Sequence, residues 1–309
     1  MRRQFQQVTF AALLCVAFST QLLANDCYDV FIVAGQSNMD GRGDKKELAG
    51  DFARLATVQP DVKIYYANPV NSPDPKNPNF NTGWKDLAPG FAVPPKYTNA
   101  LPSDCFGPEL SFGRKLADDQ PDCRLALIKV TQGNTSLNKD WNPAANYLYT
   151  TLTNTVAIAL KEIVGHGKRY QIRGMIWHQG ESDVKGGAEN YQKNLGTFIA
   201  SVRRDLKVPE LPFIIGEIAT NKEPSFRAMQ RKIAEETPHA AFVSAEGLET
   251  MEGTHFKAAS VVELGNRFAA AAEKFSFSGK AEIRAGKPVA AGASRPSSPT
   301  LTVQNRKQL

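Results

Sequence analysis

One serine in this chain has the position and neighbours of a catalytic nucleophile. Ser37 follows Gly35 and Gln36 directly after an apolar run, and Asn38 comes next. A serine at the carboxyl end of a strand, just before a turn, is exposed where backbone N–H groups can meet a developing oxyanion. The pattern predicts a nucleophile at Ser37, although it lacks the second glycine of the G-x-S-x-G elbow and a purely structural turn would look the same.

His255 is the histidine whose surroundings best suit a general base. Glu252 precedes it by three residues in the short loop 252–256. A carboxylate at this spacing can hydrogen-bond the imidazole, fix its tautomer and leave the other nitrogen to accept the serine proton. By contrast, His166 and His239 lie in polar turns typical of ordinary exposed histidines. The sequence therefore predicts catalysis by Ser37, His255 and Glu252.

A second histidine competes with this assignment. His178 begins a polar segment that also contains Gln179, Glu181 and Asp183. His178, Glu181 and Asp183 could be metal ligands, but no matching histidine pair and no H-E-x-x-H motif accompany them, so neither metal nor cofactor is expected. Gln179 beside a glycine instead suits a fixed amide donor to an ester carbonyl. The residues predicted to bind substrate are Gln36, Asn38, His178 and Glu181.

A glycine at the end of another apolar run supplies a further donor candidate. Gly133 allows close approach of the backbone, so its N–H could stabilise an oxyanion. A glycine that merely permits a turn would give the same sequence. The predicted oxyanion hole comprises the N–H groups of Ser37 and Gly133 with the amide of Gln179.

Short apolar runs alternate with helical periodicities along the chain and must position these residues. Near-continuous apolar strands alternating with helices indicate a mostly parallel sheet covered on both faces, a three-layer α/β/α sandwich. Loops that follow such strands meet at one sheet edge, where ligands bind. The predicted strands are 28–34, 124–131, 172–177 and 212–218, with weaker signals at 62–67 and 241–244. The predicted helices are 108–118, 145–164, 188–206, 225–236 and 258–275.

Three segments break this alternation. Residues 68–104 contain eight prolines, and so long a loop is predicted to form a wall or lid of the site. Residues 279–309 have the composition of a disordered tail. Residues 1–24 combine two arginines, a short apolar run and a small residue before Asn25, which predicts a signal peptide. The expected domain therefore spans 25–278, in a protein exported to the periplasm or secreted.

The composition limits the classes of partner. The 309 residues are 42% hydrophobic and 22% charged with a net charge of +6, which suits one large domain. No dense basic stripe is present, so nucleic-acid binding is not indicated. The N-terminal apolar run is too short to span a bilayer, so no membrane association is expected after cleavage. Sequence proximity favours a disulfide between Cys105 and Cys123 over one involving Cys27, and the oligomeric state is left open.

Four segments, GQSNMDGRG, KVTQGNTSL, IWHQGESD and EGTHF, resemble in order the signature blocks of the SGNH hydrolase superfamily. More narrowly, they are similar to the sialate O-acetylesterase-like and carbohydrate esterase family 6 (acetylxylan esterase-like) branch, over roughly residues 28–275. The resemblance implies a flavodoxin-like fold and cofactor-free removal of acetyl groups from sugar hydroxyls. It makes Ser37 the nucleophile, His255 the base, and Ser37, Gly133 and Gln179 the oxyanion donors.

One departure and two alternatives accompany this resemblance. Glu252 stands where the family usually has aspartate, so a triad and a Ser–His dyad both stay open. A non-catalytic carbohydrate-binding module is one alternative. In an esterase or in such a module, Trp84 and Trp141 could stack on sugar or simply pack in the core. A lipid esterase or thioesterase is the other, although the polar segment 68–104 disfavours a long acyl pocket. Acetylated xylan, sialic acid and other glycans are equally compatible substrates.

Overall fold

The computed structural model describes residues 27–68, 81–93, 103–119, 124–144, 147–219 and 223–276. The predicted signal peptide, the predicted tail and Cys123 lie outside these ranges, so the proposed disulfide stays a prediction. Cys27 and Cys105 are buried. None of the helices in the described ranges is both long enough and apolar enough to cross a bilayer.

Within the described residues, seven strands form one sheet in the order β4-β3-β6-β1-β7-β8-β9. Neighbouring strands pair in parallel except β3 and β4, which are antiparallel. The short strands β2 and β5 pair separately, also antiparallel. The strands are β1 (Cys27–Gly35), β2 (Gly43–Asp44), β3 (Gln59–Ala67), β4 (Asn81–Leu87), β5 (Cys105–Phe106), β6 (Arg124–Thr131), β7 (Arg169–His178), β8 (Phe213–Gly216) and β9 (Ala240–Val243).

Helices cover both faces of the large sheet. Helices α3, α4 and α5 pack on one face, and α2 and α6 pack on the other. Because side chains alternate along a strand, Val30 and Ile32 of β1 enter the first core while Phe31 and Val33 enter the second. The predicted three-layer α/β/α architecture is confirmed. The helices are α1 (Ser37–Asp40), α2 (Glu109–Asp119), α3 (Tyr147–Gly165), α4 (Ala188–Asp205), α5 (Pro224–Glu236) and α6 (Ala258–Ser276), with 3-10 turns at Lys45–Glu47, Gly50–Ala56 and Val184–Gly186.

The segment 68–104 is not the continuous loop that the sequence predicts. Its central part is strand β4, which pairs with β3 and places Trp84 opposite Tyr65. Trp84 Nε1 donates to the carbonyl of Ala159 at 3.1 Å, so this indole is anchored to α3. The stretch escapes prediction because its polar side chains lack an apolar face, which an edge strand can tolerate. The rest of the predicted wall lies largely outside the described residues.

The strand register brings the predicted site residues to one edge of the sheet. Gly35 at the end of β1 pairs with Thr131 of β6 on one side and with His178 of β7 on the other. The carboxyl ends of these three adjacent parallel strands are therefore level. Ser37, Gly133 and Gln179 each follow one of these ends by only one or two residues.

Candidate active site

A tight and buried turn presents Ser37. Gly35 has a φ of +148°, and a Cβ there would lie 2.1 Å from the carbonyl oxygen of His178. Only glycine therefore allows β1 and β7 to end so close together. Gln36 N donates to the His178 carbonyl at 3.0 Å, and Asp40 N donates to the Gln36 carbonyl at 2.8 Å. Ser37 begins α1 in this frame and is 5% exposed.

The predicted nucleophile and base are in direct contact. His255 Nε2 lies 3.0 Å from Ser37 Oγ. Glu252 Oε1 contacts His255 Nδ1 and accepts from the His255 backbone N–H at 3.2 Å. A carboxylate at Nδ1 favours the tautomer in which Nε2 is free to accept a proton. The longer glutamate side chain therefore reaches the imidazole, although it is 52% exposed.

Asn38 hydrogen-bonds to the loop that carries His255. Its Nδ2 donates to the Thr254 carbonyl at 3.0 Å and to Glu181 Oε1 at 2.7 Å. Its Oδ1 accepts from Phe256 N at 3.2 Å. Asn38 is thus hydrogen-bonded to the backbone on both sides of His255. The sequence predicts a substrate contact for Asn38, but the side chain is 1% exposed and its polar atoms bond within the protein.

The other predicted substrate-binding residues are also directed into the protein. His178 is fully buried, and burial lowers its pKa. Its ring is therefore neutral, with the hydrogen on Nε2, which lies 2.9 Å from the Glu217 carbonyl. Gln36 Oε1 accepts from Gln179 Nε2 at 3.1 Å. Glu181, whose side chain is 10% exposed, lies 3.8 Å from His178 Nδ1.

Gln179 differs from its predicted orientation. Its amide nitrogen donates to Asp183 Oδ2 at 2.6 Å, to the Thr135 carbonyl at 2.9 Å and to Gln36 Oε1 at 3.1 Å. The side chain is completely buried, so its two amide hydrogens face protein acceptors rather than a bound ester. Asp183 also accepts from Leu137 N at 2.8 Å. These contacts tie together the loops that follow β1, β6 and β7.

Two backbone N–H groups at the nucleophile have no acceptor within the described part of the protein. Among the described residues, neither Ser37 N–H nor Gly133 N–H donates to an acceptor. A Cβ placed on Gly133 would lie 3.4 Å from Ser37 Cβ, so the two residues are adjacent. Donors left free beside a nucleophile suit a developing negative charge.

A buried lysine supports the nucleophile turn, and sequence reasoning missed it. Lys129 Nζ donates to the carbonyls of Asp40 and Phe91, both at 2.7 Å, and pairs with Glu109 Oε2 at 2.8 Å. Both charged side chains are fully buried, which requires this close pairing. The sequence feature that pointed to a buried charge was the single lysine within the apolar run RLALIKVT.

The sequence also raises the questions of a metal site near His178 and of a sugar contact by Trp141. In the ranges that the structure describes, no three His, Cys, Asp or Glu side chains cluster as metal ligands would.

Trp141 is fully buried and packs edge-on against Trp177 and Phe198. Trp141 is therefore a core residue rather than a sugar platform.

Comparisons with known proteins agree with this architecture. The family model described as carbohydrate esterase, sialic acid-specific acetylesterase matches residues 27–274. A probable carbohydrate esterase of Arabidopsis thaliana is 25% identical over 255 residues, which cover 76% of this chain and 86% of the plant protein. The solved structure of that plant protein has a TM-score of 0.62 at 21% identity and covers 81% of this chain and 99% of its own.

Two further solved structures share the fold. NanS has a TM-score of 0.59 at 17% identity and covers 81% of this chain and 98% of its own. A carbohydrate acetylesterase from Xanthomonas citri has a TM-score of 0.57 at 18% identity, covering 82% of this chain and 57% of its own.

Proposed function

The chain belongs to the carbohydrate esterase, sialic acid-specific acetylesterase family, and from this premise we propose that it is a serine esterase that removes O-acetyl groups from carbohydrate. The observation that carries the proposal is the 3.0 Å separation of Ser37 Oγ and His255 Nε2. This is a hydrogen-bond distance, across which a general base can accept the proton of a nucleophile. Acetylated xylan and O-acetylated sialic acid are the substrates that we would test first.

The first half of the reaction acylates the enzyme. Ser37 Oγ attacks the acetyl carbonyl carbon while its proton passes to His255 Nε2. The resulting oxyanion accepts hydrogen bonds from the N–H groups of Ser37 and Gly133. Collapse of this intermediate breaks the bond to the sugar oxygen, which takes the proton from His255. The products are a free sugar hydroxyl and acetyl-Ser37.

The second half regenerates the serine. A water molecule attacks the acetyl-Ser37 carbonyl as His255 takes one of its protons. Collapse of the second intermediate expels Ser37 Oγ, which recovers that proton, and acetate leaves. Glu252 stabilises the imidazolium in both halves through its contact with Nδ1.

Acetate release from a panel of acetylated glycans and aryl acetates tests this function, with Ser37→Ala as the control. We expect release from at least one glycan and a decrease of about 10⁴-fold or more in kcat for the variant. A Ser37→Ala enzyme that keeps the wild-type rate would overturn the serine mechanism. Cleavage of long-chain acyl esters without acetate release from any glycan would favour the lipid esterase alternative.

Export is the second part of the proposal. The basic and apolar pattern of residues 1–24 supports cleavage before Asn25. Mass spectrometry of the purified mature protein measures its N-terminus directly. A cell-associated protein that retains residues 1–24 would contradict export.

A further inference from the structure

The guanidinium of Arg42 lies beside the two backbone donors of the candidate active site. Its Nη2 is 2.9 Å from the position that a Cβ would take on Gly133, and that position is 3.4 Å from Ser37 Cβ. The Arg42 side chain is 11% exposed, so the site encloses the guanidinium. A positive charge is therefore held next to the residue that attacks the ester.

Within the described residues, most N–H groups of this guanidinium donate to no acceptor. Nη1 donates to Asp40 Oδ2 at 3.0 Å and to the Gly41 carbonyl at 2.6 Å. Over the described part of the chain, Nε and Nη2 donate to no acceptor. These free guanidinium hydrogens lie beside a nucleophile and are therefore available to an acceptor on the substrate.

A buried carboxylate fixes the guanidinium in this position. Asp40 is fully buried, and its Oδ1 accepts from Tyr66 OH and from Thr131 Oγ1, both at 2.8 Å. Its Oδ2 accepts from Val93 N at 3.2 Å as well as from Arg42. A carboxylate with so many donors is held rigidly, and the ion pair transmits this rigidity to Arg42. Such preorganisation is what makes a donor effective in a transition state.

The lack of a side chain on Gly133 leaves room for the guanidinium in its present position. A methyl group there would lie 2.9 Å from Nη2, which is closer than ordinary van der Waals contact between carbon and nitrogen. A side chain at position 133 would therefore press against the guanidinium of Arg42, which would have to shift. Consequently the Gly133 backbone and the guanidinium border the same small region next to Ser37.

We infer that Arg42 is the third donor of the oxyanion hole, with an Nη2 hydrogen directed at the carbonyl oxygen of the bound acetyl group. The inference rests on the proposed esterase function. A charged donor forms a stronger hydrogen bond than a neutral amide, and its effect grows as negative charge develops in the transition state. Gln179, whose amide hydrogens face protein acceptors, is then a positioning residue for the surrounding loops.

The variant Arg42→Lys tests this inference, because lysine can keep the ion pair with Asp40 but has no second nitrogen to reach the ester. We expect kcat to fall by about 10²–10³-fold, the usual effect of losing one oxyanion donor, with little change in KM. The decrease should be the same for an acetylated sugar and for 4-nitrophenyl acetate, which contains no sugar. Inhibition by methylboronic acid, a tetrahedral transition-state mimic, should weaken by a similar factor.

Three outcomes would overturn the inference. The first is an unchanged kcat in Arg42→Lys. The second is a raised KM for the acetylated sugar alone with normal aryl acetate turnover, which makes Arg42 a sugar-recognition residue. The third is a large loss of kcat in a folded Gln179→Ala enzyme together with a normal kcat in Arg42→Lys. That result would make Gln179 the third donor.

Two controls separate this inference from its premise and from misfolding. Arg173→Lys makes the same change in another partly buried pair, where Arg173 Nε lies 2.7 Å from Asp29 in the amino-terminal half of β1, and should leave kcat unchanged. A near-wild-type melting temperature shows that Arg42→Lys is folded. An inactive Ser37→Ala combined with a fully active Arg42→Lys refutes the inference alone, whereas an active Ser37→Ala refutes the esterase mechanism itself.

Discussion

In the candidate catalytic pair, the nucleophile lies in a buried turn and the base lies in a partly exposed loop. In the nucleophile turn, residues 35–41, Ser37 and Asn38 are 5% and 1% exposed, and Met39 and Asp40 are fully buried. In the base loop, residues 250–256, the Glu252 side chain is 52% exposed and that of His255 is 30% exposed. The nucleophile turn is surrounded by structure, whereas the base loop lies near the surface.

This contrast indicates which contacts position the base. Within its own loop, the backbone of His255 is restrained by the bridge between Thr250 and Phe256 and by a 2.8 Å bond from Met251 N to the His255 carbonyl. Asn38 then bonds the backbone on both sides of His255. The buried turn therefore positions the exposed loop, and we expect the solvent-facing Glu252 to contribute less than a buried carboxylate would.

Removing the base tests whether the two halves act as one unit and has the largest expected effect. We expect His255→Ala to lower kcat by about 10⁴–10⁶-fold, with the double variant Ser37→Ala/His255→Ala little worse. Aryl acetate turnover measures both. The surface variant His166→Ala serves as the matched control, and additive losses in the double variant would show that the two residues act independently.

Breaking the Asn38 contacts has the next largest expected effect. Asn38→Ala releases the loop and leaves Phe256 N and Glu181 without this partner, so we expect a loss of about 1–3 kcal/mol in unfolding free energy. Displacement of the base should lower kcat by about 10²-fold. Chemical denaturation and aryl acetate kinetics measure these quantities.

Asn38→Asp sharpens the same test, because it keeps the shape but places a second carboxylate against Glu181 and the Thr254 carbonyl. We expect it to be at least as damaging as Asn38→Ala. The exposed Asn190, which donates to the Gly186 carbonyl at 2.8 Å, provides the control Asn190→Ala. Wild-type kcat and stability in Asn38→Asp would show that Asn38 does not position His255.

Removing the exposed carboxylate has the smallest expected effect. Because solvent screens the Glu252 contact, we expect Glu252→Ala to lower kcat by at most about tenfold. Glu249→Ala, which removes a nearby exposed carboxylate paired with Lys257, is the control. A loss of about 10⁴-fold, comparable to that of a buried triad aspartate, would show that burial is not what sets the contribution of this residue.

The sequence predicted most of the fold because hydrophobic periodicity is a local property. The apolar run of β1 and the helical spacing of α4 are each visible within a short window. Strand β4 could not be found this way, because an edge strand with polar side chains has no such period. Predicting three layers followed from the alternation of elements rather than from any single segment.

The candidate site was predictable in its residue types but not in its hydrogen bonds. Ser37, His255 and Glu252 were found because a nucleophile, a base and an acid must have those side chains, and the structure brings all three together. The direction of the Gln179 amide could not be found, because its acceptors on Thr135 and Gln36 come from distant parts of the chain. Lys129 was overlooked because a charge within an apolar strand shows its partners only after folding.

The sequence alone thus determined which chemical groups this protein can use and at which ends of its strands they appear. Tertiary structure decided which of those groups bond within the protein and which stay available to a ligand. Gln179 and Arg42 both carry donors near Ser37, yet only the guanidinium keeps free hydrogens at the site. The physical reason is that the acceptors around a donor come from separate segments, so their arrangement exists only once the chain has folded.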